Sequence, residues 1–208
     1  IVRARVAEAI NSAMNEILSA IEKATGNDEY ANYARVNLVQ ALESIIMQVK
    51  WSEKTREDME LARWQNGQQV VLRAIGILYR LLQNTEADTP QSNVLRAGIA
   101  SALVKISEVA SISGVDYSYT QELTLALKKS IPSLIQALSR IKGSNYLQQN
   151  IKDAICGALA ELLQYSPEAI KDLSALKDKD FYEFMKEHVG TKLLNLGVVL
   201  ETLRVFNP

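Results

Sequence analysis

The sequence predicts an all-α protein built from helical hairpins, and three observations carry that expectation. Apolar residues recur at spacings of three and four along most of the chain, while strand-like alternation is hard to find. Breakers are scarce: four Pro and nine Gly in 208 residues, mostly between the periodic segments. A basic, apolar and small-residue pattern also returns three times along the chain at similar separations.

The clearest segment runs from Ile131 to Leu162. Ile131, Leu134, Ile135, Leu138 and Ile141 share one helical face, Pro132 suits a helical segment starting at Ser130, and Gly143 suits a C-terminal stop. Ile151, Ile155, Leu159 and Leu162 continue the spacing. Ala154, Gly157 and Ala158 lie beside them and would let another helix come close.

In chain order, a first amphipathic helix spans about Val2 to Ala24, with Val6, Ile10, Met14, Ile17, Leu18 and Ile21 inward. Gly26-Asn27-Asp28 breaks it, and Asn27 or Asp28 can cap a second helix from Glu29 to Val49. Trp51-Ser52 joins this to a long third segment, Glu53 to Gln83, with Ser52 or Thr55 as its cap. Its charged first half gives way near Gly67 to a dense apolar half, so a kink is expected there. Asn84 to Ser92 reads as a linker and as a sub-boundary within one domain spanning residues 1–208. Thr89-Pro90 supplies N-cap and first turn for a helix reaching Ser111. After a turn at Gly114 to Tyr119, a helix from Thr120 leads into the Ile131 segment. Short and long helices are then expected from Ser166 to Leu176 and from Phe181 to Phe206.

The recurring pattern is Arg35-x-x-Leu38-x-x-Ala41-Leu42-x-x-Ile45, then Arg96-x-x-Ile99-x-x-Ala102-Leu103-x-x-Ile106, then Lys152-x-x-Ile155-x-x-Ala158-Leu159-x-x-Leu162. The offsets are 61 and 56 residues, room for two helices and their turns. A unit of that size cannot bury its apolar face alone and must stack on its neighbours. Ile131-Pro132-x-Leu134-Ile135-x-Ala137-Leu138, followed by Ile151-Lys152-x-Ala154 and Ala158-Leu159-x-x-Leu162, resembles a HEAT repeat, with Val70 to Leu82 and Leu95 to Ile106 as a second candidate pair. The connection from Ser139 to Asn150 is longer than that family's turn and lacks its Asp. The resemblance implies a degenerate HEAT-like or armadillo-like right-handed array, a protein-binding scaffold with no catalytic residues to transfer. An antiparallel helical bundle, or two joined at Asn84 to Ser92, is the rival architecture.

Chemistry is thin. His188 and Cys156 are the only His and Cys, too few for the usual zinc site, and no Glu-x-x-His occurs. Neither phosphate-loop nor nucleophile-elbow motifs are present. No catalytic, metal or cofactor site is therefore expected, and the protein reads as a non-enzyme. Net charge is −1 with basic residues spread from Arg3 to Arg204, which argues against a phosphate-gripping surface. The near-neutral balance also argues against a HEAT-like DNA glycosylase, the enzymatic alternative; a homo-oligomeric helical-bundle protein is the other. No apolar run reaches the ~20 residues of a membrane span. A single cysteine leans towards an intracellular, cytoplasmic-type reducing compartment. The chain opens on Ile1 rather than Met, as a fragment or processed chain would.

Residues expected to meet another protein or peptide fall in three groups. Trp51 and Trp64 bracket a charged segment containing Arg56 and Arg63. Arg73 and Arg80, seven apart on one face, would line a groove for an acidic peptide together with Arg96. Tyr117 and Tyr119 flank a turn and either face an interface or pack over the hairpin end.

Overall fold

A computed structural model describes residues 2–24, 26, 28–46, 61–110, 117–143 and 145–166. The described residues form helices α1 (Val2–Lys23), α2 (Glu29–Ile46), α3 (Leu61–Asn84), α4 (Pro90–Ala110), α5 (Tyr117–Arg140) and α6 (Tyr146–Leu162), with a 3-10 turn at Leu163–Tyr165. No strand occurs among them. The chain is all-α.

Three hairpins result: α1–α2, α3–α4 and α5–α6. Their connections are equal in length, residues 24–28, 85–89 and 141–145. The Ser139–Asn150 connection expected to be long is therefore as short as the others. Helix α5 runs on to Arg140 and α6 starts at Tyr146, where Asn145 accepts from the Gln148 amide and Gln148 reaches back to the Asn145 amide. This capping box lets the helix begin at Tyr146, five residues before the first member of its apolar stripe, Ile151. Asp28 and Thr89 cap α2 and α4 in the same register, accepting from the backbone amides of Ala31 and Ser92. Gly26 and Gly143 take positive φ values of 112° and 91° just before their caps, a conformation that favours glycine.

Two helices are more continuous than expected. Pro132 lies inside α5 rather than at a helix start. Its ring is exposed, whereas Ile131 and Leu134 beside it are fully buried; their packing offsets the ~3 kcal/mol an internal proline costs. Helix α3 likewise continues through Gly67 without a break.

The hairpins stack side by side. Odd-numbered helices pack in the order α1, α3, α5; even-numbered helices pack in the order α2, α4, α6. Neighbours within a row run parallel, because side chains meet at nearly constant separations: Asn15 with Arg73 and Glu22 with Arg80 between α1 and α3, Asn32 with Ser92 and Glu43 with Ser101 between α2 and α4. One apolar cluster extends from Met14 to Leu163 through every described helix. Leu42, Leu78, Leu103, Leu127 and Leu159 are among its fully buried members. Each such side chain contributes roughly 1.5–3 kcal/mol relative to exposure.

Candidate functional site

The parallel stacking brings all three hairpin turns to one end of the molecule. There the recurring basic residue has a defined job. Arg35 on α2 donates from Nε and Nη2 to the Ala24 carbonyl at 2.9 and 2.6 Å, and from Nη1 to Asn32 Oδ1 at 3.1 Å. Arg96 on α4 donates from Nη2 to the Thr85 and Ala87 carbonyls at 2.7 and 2.9 Å, and from Nη1 to Asn93 Oδ1. Lys152 on α6 reaches the Gly143 carbonyl at 3.1 Å. Each cation thus sits at the C-terminal end of the preceding helix, where unpaired carbonyls and the helix dipole present negative charge.

The turns are also tied to one another. Asn32 donates to Ser92, Gln91 to Glu29, and the Lys142 amide to Asp88, which also accepts from Asn93. Arg140 donates to the same Thr85 carbonyl that Arg96 uses. Arg96 is wholly buried, so desolvation pushes its pKa below the usual arginine range; Arg140 adds to this, and Asp88 opposes it.

Arg96 therefore does not line a groove with Arg73 and Arg80. It is a structural cation inside the fold. Arg73 and Arg80 do act together, but on this chain's own acid: both pair with Glu22 of α1, at 2.7 and 2.8 Å, and Arg73 also donates to Asn15 and Ser19. Beside this cluster lies an open cleft of about 370 Å³ between the ends of α1 and α3. Ile21, Ile77 and Leu81 line it together with Glu22, Arg35 and Arg80.

Of the tyrosine pair, Tyr119 is buried at 8% exposure, and burial drives its phenol well above the ordinary tyrosine range. It belongs to the buried apolar cluster, in the first turn of α5 and so at the end of that helix away from the hairpin turn. Trp51 and Arg56 lie outside the described residues, as do His188 and the helices expected after Ser166. Arg63 and Trp64 on α3 and Tyr117 on α5 have helical backbones, and their side chains lie outside the described set.

Sequence reasoning missed the exposed aromatic and apolar side chains near the hairpin turns. Tyr30 (87% exposed) and Tyr33 (63%) stand on α2; Tyr146 (84%) and Leu147 (48%) open α6. Periodicity assigns inward positions and says nothing special of a tyrosine off the stripe. The available signal was that these residues sit in the first turns, immediately after the caps. Among the described residues no three His, Cys, Asp or Glu side chains gather as a metal site would require. No helix among them is long and apolar enough to cross a membrane.

In comparisons with known proteins, no family model matches the chain, and neither a curated protein nor a solved structure shows significant similarity to it.

Proposed function

We propose that the protein is a non-catalytic scaffold: a HEAT-like, right-handed array of helical hairpins that binds another protein through its repeated helical surface. The observation that carries this reading is the matched pair of arginine sites. Arg35 and Arg96 make equivalent hydrogen bonds 61 residues apart, so the unit that repeats is a whole hairpin with its turn. Stacked units of this kind build extended surfaces whose length grows with the number of repeats. The exposed tyrosines of α2 and α6 supply side chains of the type enriched at interfaces. Cys156, the single cysteine of the sequence and buried in the core, fits an intracellular setting.

The test is affinity capture with the immobilised full chain, followed by mass spectrometry and reciprocal measurement of binding with the purified candidate. A saturable complex with one protein supports the scaffold. A chain that captures no protein, and instead binds duplex DNA with the steep salt dependence of phosphate contacts or turns over a substrate, sinks it.

A further inference from the structure

The cleft between α1 and α3 has an aliphatic floor and unspent donors at its mouth. It holds about 370 Å³, near the lower end of the ~300–1,000 Å³ of small-molecule sites. Ile21, Ile77 and Leu81 line it and are buried. Arg80 and Asn84 lie three and seven residues beyond Ile77, on the same face of α3. The polar groups are not equally occupied. Each carboxylate oxygen of Glu22 already accepts from an arginine, one from Arg73 and the other from Arg80. Arg35 is spent on the Ala24 carbonyl and on Asn32. Arg80 uses only Nη2; its Nε and Nη1 meet no acceptor among the described residues. The exposed Asn84 amide, one turn further on, meets none there either. The lining carries two arginines and one glutamate, and Arg73 beside it adds a third cation. Helix C-terminal carbonyls ordinarily oppose such charge. Here they are already covered: Ala24 after α1 accepts from Arg35, and Thr85 after α3 accepts from Arg96 and Arg140. The cleft is left with an excess of positive charge above an apolar base.

We propose that this cleft binds a carboxylate on a short aliphatic stem, supplied by a free acid or by the last residue of a peptide. The carboxylate accepts from the spare Arg80 donors and the Asn84 amide. The stem lies on Ile21, Ile77 and Leu81. A guanidinium fork matches a planar carboxylate, and that match selects the anion. A phosphate beside the same single free guanidinium would leave most of its oxygens unserved above an apolar floor. An amine would meet the excess of like charge, and a neutral ligand would leave the Arg80 donors unused. The site goes beyond the scaffold reading and does not depend on it.

The probes are isocaproate, its neutral amide, acetate, and a pentapeptide ending in leucine as the free acid or as the C-terminal amide. Each is titrated into the isotope-labelled full chain, and the backbone amide shifts of Ile21, Leu81 and Asn84 are followed. Isocaproate or the free-acid peptide should bind saturably, and neither amide should. Acetate, which lacks the stem, should bind about tenfold more weakly or worse. Arg80→Gln should weaken binding about tenfold or more by removing charged hydrogen-bond donors. Asn84→Asp should do the same by placing a like charge at the mouth. Both positions are exposed on a helix, and circular dichroism checks that each variant stays folded; if one does not, the other gives the reading. Lys105→Gln on α4, outside the cleft, should change nothing. Binding of isocaproate supports the site with a free acid as sufficient ligand; binding of the free-acid peptide alone supports it with a chain terminus as the source. No saturable binding of either, equal binding of acid and amide, or affinity unchanged in the folded cleft variants overturns it. An equal loss in Lys105→Gln overturns it as well, since overall charge would then account for the binding. Affinity capture of a partner protein bears only on the scaffold, so the two proposals fall separately.

Discussion

Arg35 and Arg96 hold the same position in successive hairpins, and each carries the C-terminal end of the helix before it. Both reach back eleven residues to a backbone carbonyl and brace on an asparagine three residues earlier, Asn32 or Asn93. Their surroundings differ. Arg35 is half-buried, whereas Arg96 is sealed beneath Thr85, Ala87 and Asn93. Replacing a fully buried, hydrogen-bonded cation strands the carbonyls it served. Arg96→Ala should therefore cost about 3–5 kcal/mol, against roughly 1–2 kcal/mol for Arg35→Ala. Urea denaturation of the two variants side by side checks the ranking. Equal losses would show that the two sites are not graded by burial.

The α5–α6 turn should be sensitive to its glycine. Gly143 has a φ of 91°, and a Cβ there would run into the Gln148 side chain that closes the capping box. Gly143→Ala is expected to destabilise by about 1 kcal/mol or more from backbone strain and the disturbed cap together. The melting temperature of the variant measures this, with Gly76→Ala as a control in open space that should be neutral or slightly stabilising.

Glu22 holds two arginines at the surface, and all three side chains are substantially exposed. Glu22→Gln should change stability by less than about 1 kcal/mol, an effect that fades as salt rises. Its larger consequence is electrostatic, since Arg73 and Arg80 then face solvent without their acid. A thermal melt series in low and high salt reads the first effect; binding of an acidic peptide to the cleft reads the second.

Alkaline pH should weaken the fold through Tyr119 and Tyr165. Burial raises both phenol pKa values, with a hydrogen bond to Ser107 partly offsetting the rise at Tyr165. Below pH of about 10 both states keep the phenolic proton and the groups contribute nothing to the pH dependence. Above it the unfolded chain loses protons that the native state retains, so stability falls as pH climbs. Tyr119→Phe should flatten that decline between pH 10 and 12, as followed by urea midpoints (roughly the window set by the ordinary phenol pKa).

The Cys156 thiol is 1% exposed within the core. Its reaction with a thiol-specific reagent should be slow in buffer and track unfolding as urea is added. Fast reaction under native conditions would place it at an opening in the fold.

The sequence by itself determined the helices, because their signals are local. Apolar spacing, Asp28 and Thr89 before their helices, and Gly26 and Gly143 at the turns all act within a few residues. The recurrence of Arg35, Arg96 and Lys152 was also legible as a pattern. What it meant was not. Whether an arginine lies in a groove or beneath a turn depends on which helices meet, and those meetings join residues about sixty apart with no local signature. Tertiary packing alone put Arg96 inside, turned Arg73 and Arg80 onto Glu22, and buried Tyr119.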